Sequence, residues 1–311
     1  MNNSNSPKVA LGTWAWGSED VFGDTLTTSD LKPVVDSAME AGLNLWDTAT
    51  AYGMGISESI VGDLLKNYKR EDYLISTKFT PQMADGSEHA VANMLEASLK
   101  RLHTNYVDIY WIHNPANVEL WTPQLIPLVK SGKVKRVGVS NHNLDEIKLA
   151  NSILQKEGIS ISAVQNHFSL LYRSSEKAGI IDYCNENNID FFSYMVLEQG
   201  ALSGRYNTKN PLPEGSTRAD KYNKMLPELE ALVKGLSDLG NKYNASVAQI
   251  AEAWAINKNT LPIIGVTKQK YIAETKKSTS IILADDEITM LESLADATNV
   301  ETKGSWENHM N

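Results

Sequence analysis

Residues 73–113 read YLISTKFTPQMADGSEHAVANMLEASLKRLHTNYVDIYWIH, and they decide the fold. The two ends, Tyr73 to Lys78 and Val107 to His113, are short apolar runs of strand length. Between them Val91, Met94, Leu95, Leu99 and Leu102 recur at spacings of three and four, the stripe of a helix that packs one face on a sheet. The same alternation continues in both directions. Upstream lie Val9 to Thr13 and Leu43 to Asp47; downstream lie Val134 to Ser140, Ala163 to Asn166, Asp190 to Tyr194 and Leu261 to Val266. Leu31, Val34, Val35 and Ala38 form a second helical stripe, closed by Gly42 where a left-handed cap is favoured. Val247, Ile250, Ala251, Trp254 and Ala255 form a third. Eight strands separated by helices, with no long linker, predict an α/β fold of the (β/α)8 TIM-barrel type. It is expected to be a single domain over residues 1–311 with a C-terminal helix and tail. A doubly wound sheet is the rival arrangement of the same units.

Composition narrows the function. Of 311 residues 42% are hydrophobic and 22% charged, enough to build a core and unlike a disordered chain. The 29 Lys and Arg against 38 Asp and Glu leave a net charge of −9, which disfavours nucleic acid or an anionic membrane as partner. One cysteine, Cys184, excludes an internal disulfide and a Cys-based zinc site, and fits a reducing compartment. The opening MNNSNSPKVA lacks the basic and apolar regions of a signal peptide, and no apolar run approaches the ~18 residues of a membrane span. A soluble cytoplasmic protein is expected. Three segments exceed a minimal barrel: Trp14 to Thr28, Leu197 to Pro227 and Asp285 to Asn311. The first two would lie on the C-terminal face, where barrel enzymes build their sites.

In such a barrel the chemistry belongs at the C-terminal strand ends. Asp47 ends the second predicted strand, Lys78 the third and His113 the fourth, and Tyr52 follows Asp47 in the loop AYGMG. Neighbouring strands lie about 4.8 Å apart, so inward-pointing side chains at these positions converge. A carboxylate, an amine, a phenol and an imidazole together suit proton transfer to or from an oxygen. A free phenol, with a pKa near about 10, is a weak acid. The Lys78 ammonium is expected to lower that value, with Asp47 holding the lysine charged and His113 orienting a carbonyl or sharing the proton. Taken singly, each residue reads as readily as a turn, cap or locally satisfied side chain.

The segments Leu45-Trp-Asp-Thr-Ala-Thr-Ala-Tyr-Gly53, Ile75-Ser-Thr-Lys78, Tyr106-Val-Asp-Ile-Tyr-Trp-Ile-His-Asn-Pro115, Val137-Gly-Val-Ser-Asn141 and Gln165-Asn166 resemble the aldo-keto reductase family, in family order. The resemblance runs from about Lys8 to Ile282. It implies an NADP(H)-dependent oxidoreductase that reduces a small-molecule aldehyde or ketone, with Tyr52 as acid supported by Asp47, Lys78 and His113. It also implies that Ser140, Asn141 and Gln165 hold the nicotinamide carboxamide. Some relatives serve instead as redox-sensing or partner-regulating subunits, which is the competing function. No complete G-x-G-x-x-G is present, but a barrel can bind phosphates through the loops after strands seven and eight. Gln199-Gly-Ala-Leu-Ser-Gly204 and Gly265-Val-Thr-Lys268 occupy those places, so Gly200, Ser203, Gly204, Gly265, Thr267 and Lys268 are candidate cofactor residues. Phe192 stands where many relatives stack a Tyr on the nicotinamide, while Tyr271 and Thr275 replace the family's usual residues near the adenosine phosphate. Lys268 could carry charge for a 2′-phosphate, favouring NADPH with NADH as the alternative. The N-terminus is too short for the β-hairpin that caps the barrel bottom in many members.

His142 and His167 follow the fifth and sixth strands and, with His113, could suggest a metal site. No H-E-x-x-H supports one, so both are expected to be loop histidines and no metal is assigned. Asp108 reads as structural, Cys184 as a packed apolar residue, and Trp14 and Trp16 as pocket wall or core.

Overall fold

The computed structural model describes residues 7–17, 19–22 and 25–310; the first six residues, on which the signal-peptide and N-terminal hairpin readings partly rest, lie outside that range. The eight strands are β1 (Ala10–Gly12), β2 (Leu45–Asp47), β3 (Leu74–Phe79), β4 (Val107–Ile112), β5 (Val134–Ser140), β6 (Ile161–His167), β7 (Asp190–Tyr194) and β8 (Leu261–Gly265). They pair in chain order, every pair parallel, and β8 closes on β1, which excludes the doubly wound alternative. All eight strands fall within two residues of their expected limits. β6 alone extends beyond its expected limits at both ends; it starts two residues earlier because Ile161 pairs with Val137 across a register irregularity, and polar Ser162 hides that start in the sequence.

Strand residues alternate between barrel interior and helix layer. Ala10, Leu45, Ile109, Trp111, Ala163 and Phe192 fill the interior as one buried cluster. Trp111 and Phe192 meet edge to face, ring centroids 5.1 Å apart. Gly138 makes room for that packing, since a Cβ there would stand 2.1 Å from the Trp111 ring. Residues of the other parity, among them Trp46, Ile75, Tyr110, Val139 and Val164, pack outward with Leu31, Val34, Val35, Val91 and Leu95 of the surrounding helices. Each such buried aliphatic side chain contributes about 1.5–3 kcal/mol.

The same parity fixes the rim. Two residues beyond Leu45, Ser76, Trp111, Ala163 and Phe192 come Asp47, Lys78, His113, Gln165 and Tyr194, each one step nearer the C-terminal mouth. Trp16 is buried against Trp46, and its indole N–H donates to the Val266 carbonyl at 2.8 Å, tying the loop after β1 to the end of β8. Beyond the helix Asp285–Ala297 the chain returns to the mouth, where Thr302, Glu307 and Met310 are buried. Among the described residues no helix is long and apolar enough to cross a membrane.

Candidate active site

Asp47 and Lys78 meet at the mouth between β2 and β3. Lys78 Nζ donates to Asp47 Oδ2 at 2.6 Å, to the Thr48 carbonyl at 2.8 Å and to the Tyr52 hydroxyl at 3.2 Å. Those three bonds use all of its donors. Asp47 Oδ1 accepts from Ser76 Oγ at 2.6 Å and from Gln165 Nε2 at 3.1 Å, and Ser76 in turn accepts from the Trp111 indole. Trp111, Ser76 and Asp47 thus form a chain from the barrel interior to the lysine. Tyr52 opens the short 3-10 turn Tyr52–Gly55, in which Gly53 and Met54 both take positive φ. Gly53 is required there: a Cβ would lie 2.1 Å from the Gly17 carbonyl oxygen, so the loops after β1 and β2 touch through it.

The electrostatics differ from expectation for the phenol. Burial pushes the Tyr52 pKa up and outweighs the downward pull of the Lys78 ammonium. In this state Tyr52 keeps its proton at neutral pH, as a proton donor must. Lys78 is held above its usual value; burial opposes the charge, but Asp47 prevails. Burial, joined by Lys78, drops His113 to about 3, so the imidazole is neutral at physiological pH. Its Nδ1 is paired with the Thr80 hydroxyl at 3.0 Å, and Nε2 has no protein partner among the described residues. With Thr80 donating, Nε2–H becomes a neutral donor on the wall of the cavity.

That cavity, of about 950 Å³, starts at Tyr52 and His113 and runs to Ser246 and Thr275. Ser140, Asn141 and Gln165 line it, as do Gly200, Ser203, Gly265 and Thr267. Asn141, at φ 62°, donates to the His113 carbonyl at 2.9 Å and accepts from the Tyr194 hydroxyl at 2.5 Å. Phe192 does not reach the cavity, because it belongs to the barrel filling. Tyr194, two residues nearer the mouth, is the aromatic side chain of β7 on the wall. Strand parity was the signal for it, since Phe192 and Tyr194 share a face. Lys268 and Gly204 also lie off the wall: Lys268 is exposed at the start of the helix Gln269–Ser278, and a Cβ on Gly204 would meet Val247. Arg205, Arg218 and Lys270 are the cations on the wall, and none was singled out from sequence. They come from long loops or a helix start, where no periodicity marks direction. Arg205 Nη1 donates to the Tyr271 hydroxyl at 2.5 Å.

The remaining candidates divide. Trp14 lines the cavity, stacked on Tyr52 with centroids 6.1 Å apart, whereas Trp16 is core. Asp108 pairs with Arg70 at 2.6 Å. Burial pushes the Cys184 thiol up to about 12, as expected of a packed side chain. The two histidines are not solvent-facing loop residues, because His142 is buried beside Ser140 and His167 is the buried last residue of β6. Among the described residues no group of His, Cys, Asp or Glu could hold a metal ion.

Residues 8–296 match the model of the Aldo/keto reductase family. The chain is 30% identical over 301 residues to the chloroplastic pyridoxal reductase of Arabidopsis thaliana, covering 91% of this chain and 82% of that one. It is 30% identical over 321 residues to the NADH-specific methylglyoxal reductase of Escherichia coli, covering 93% and 95%. Among solved structures, the glycerol dehydrogenase of Gluconobacter oxydans superposes with a TM-score of 0.81 at 25% identity, over 94% of this chain and 92% of the other.

Proposed function

Given that the chain belongs to the aldo/keto reductase family, we propose that it is an NAD(P)H-dependent carbonyl reductase in which Tyr52 protonates the oxygen of an aldehyde or ketone. One observation carries the reading: a single buried lysine bonds both Asp47 and the phenol that faces the cavity. A structural ion pair has no need of that third bond.

The cavity suits a dinucleotide. The helix Gln269–Ser278 begins without a side-chain cap; the Tyr271 amide donates to the Lys268 carbonyl, which leaves the Gln269 and Lys270 amides to meet a phosphate. Gly265 has open space where a Cβ would be, which lets a ligand approach the backbone. Ser140, Asn141 and Gln165 would hold the carboxamide, Tyr194 the nicotinamide ring, and Gly200, Ser203, Gly265 and Thr267 the phosphates. Arg205 and Lys270 supply positive charge toward the adenosine end and favour the 2′-phosphorylated form. When bound, the reduced nicotinamide supplies a hydride to the carbonyl carbon.

The chain's own residues supply the rest. His113 Nε2–H and the Tyr52 hydroxyl polarise the carbonyl oxygen, and the oxygen takes the Tyr52 proton as the carbon gains its electron pair. One hydride and one proton make the alcohol. The phenolate left behind lies beside the Lys78 ammonium, already 3.2 Å from its oxygen and held there by Asp47. Lys78 therefore stabilises the product form of the acid more than its resting form, which is the sense in which a charge accelerates a reaction.

The test is loss of NADPH or NADH absorbance across sugar, aromatic and dicarbonyl substrates, with pyridoxal and methylglyoxal included because relatives are named for them. Tyr52→Phe is expected to lower kcat by about 10²–10⁴ while nucleotide binding, read by fluorescence, persists. Full turnover in that variant would remove the acid. No consumption by the native protein with any carbonyl would favour a nucleotide-binding sensor instead.

A further inference from the structure

Residues 301–310 enter the mouth of the barrel, and a buried imidazole holds them there. His167 Nε2 lies 2.9 Å from Glu198 Oε1, and Nδ1 lies 2.9 Å from Glu307 Oε1. A neutral imidazole donates once, so two carboxylates served at these distances call for imidazolium. Its pKa is accordingly pushed up to about 9; burial opposes the charge, but Glu198 and Glu307 outweigh it. Glu198 also accepts from Ser169, from the Tyr222 hydroxyl at 2.6 Å and from Thr302 Oγ1 at 3.1 Å. The segment is therefore fastened at Thr302 and at Glu307, on either side of Trp306. Trp306 is 46% exposed, lines the cavity, and meets Trp14 edge to face at 5.8 Å. Since Trp14 stacks on Tyr52, the three rings form one wall beside the acid.

We propose that His167 and Glu307 are positioning residues, whose buried ion pair holds the C-terminal segment so that Trp306 completes an aromatic wall for carbonyl compounds with a flat apolar body. The proposal rests on the carbonyl-reductase reading for its substrate, but not for the clamp. The wall has ring faces and no fixed charge, so an aryl aldehyde gains contact with it and a short polar aldehyde gains little. The clamp acts on substrate capture, because neither carboxylate nor imidazole reaches Tyr52.

The clamp also sets a pH window. The groups facing His167 are Glu198 after β7, Glu307 of the tail and the stacked rings of Tyr172 and Tyr194, with Tyr222 one step further out on Glu198. All three phenols are raised above their ordinary value, with burial the largest cause, so none ionises before the imidazolium. The fastening is complete below about pH 6.5, the ordinary value for histidine, and is lost as pH rises through about 9.

Glu307→Gln keeps the shape and removes the charge. It is expected to raise KM for an aryl aldehyde about tenfold, the upper end of an aromatic contact's worth, with kcat and the KM for glyceraldehyde unchanged. Trp306→Ala should match it, and the double variant should be no worse than either, since both remove the same wall. Independently of activity, hydrogen exchange in residues 301–310 of the native protein should accelerate beyond the intrinsic rate above about pH 9, and already at pH 7 in Glu307→Gln. The native pH arm stands even if the variant fails to fold. Unchanged exchange across pH 9 overturns the clamp; a fall in kcat at constant KM overturns its positioning role. Failure of the native protein to reduce any carbonyl would sink the proposed activity while leaving the exchange result to decide the clamp.

Discussion

Two buried charge clusters stand on opposite sides of the barrel mouth, and only one has a free end. Lys78 on β3 spends two donors on Asp47 and Thr48 and presents the third to a phenol on the cavity wall. His167 on β6 gives both of its N–H groups to carboxylates that are themselves enclosed. Both clusters shift the pKa of a cation upward, so burial and a shifted pKa alone do not mark the reactive one. What separates them is whether the last hydrogen bond leads to a group that a substrate can touch. On the proposed reading the first cluster serves proton transfer, and the second fixes a segment of chain.

The largest effect that would break this contrast is expected from Lys78→Met. Without the ammonium the phenolate loses its stabilising partner, and kcat should fall by about 10²–10⁴. Tyr52 should also titrate at still higher pH, because the one opposing cation is gone while burial remains. Asp47 is left buried without its cation, so a stability loss of about 3–5 kcal/mol in urea titration should accompany the kinetic loss. A variant with near-native kcat would place the lysine in the structural class beside His167.

Stability against pH sharpens the same comparison, because the histidines of the two sides have opposite signs. His113 and His142 are held neutral, lowered to about 3 and about 4, chiefly by burial. Between about pH 6.5 and those values the unfolded chain binds protons that the folded one refuses, so acid removes stability. His167 does the reverse: raised to about 9, it binds its proton more tightly when folded, and stability declines as pH climbs from about 6.5 through 9. Urea midpoints measured across pH 4 to 10 should therefore peak near about 6.5. Glu307→Gln should flatten only the alkaline arm. An alkaline arm unaffected by that substitution would mean that His167 is not the group responsible.

A smaller effect is expected at Gly138, remote from both clusters yet tied to the first. A Cβ there intrudes on the Trp111 ring at 2.1 Å, and Trp111 hands a hydrogen bond to Ser76 and thence to Asp47. Gly138→Ala should cost about 1–3 kcal/mol of stability, as overpacking does. It should also lower kcat by less than Lys78→Met does, since it disturbs the orientation of Asp47 without removing a charge. Hydrogen exchange in 301–310 should not change, because His167 takes no part in that chain.

The first cluster was legible in the sequence and the second was not, for physical reasons. Asp47, Lys78 and His113 end apolar runs whose period marks both strand and direction, so their convergence follows from parity. The barrel followed from the same runs, to within a residue or two at most strand limits. Glu198 and Glu307 lie in segments without period, and their meeting with His167 spans 31 and 140 positions. Nothing local announces a contact made by a tail folding back. Phe192 and Tyr194 show a subtler limit: parity puts both inside, but only the depth of the barrel filling tells which one faces the cavity.

The smallest expected effect concerns how the phosphates are held. Lys268 was the sequence's candidate for 2′-phosphate charge, yet its side chain is exposed and off the cavity wall, while its backbone opens the uncapped helix Gln269–Ser278. If that helix start contributes through its amides, the residue's identity matters little and its conformation matters more. Lys268→Ala should change the affinity for NADPH or NADH less than about twofold, the scale of a lost surface charge. Arg205→Ala, which removes a guanidinium on the wall and its bond to Tyr271, should weaken NADPH more than NADH. Nucleotide titration by fluorescence separates the two variants, and a Lys268→Ala loss confined to NADPH would return the phosphate to that lysine.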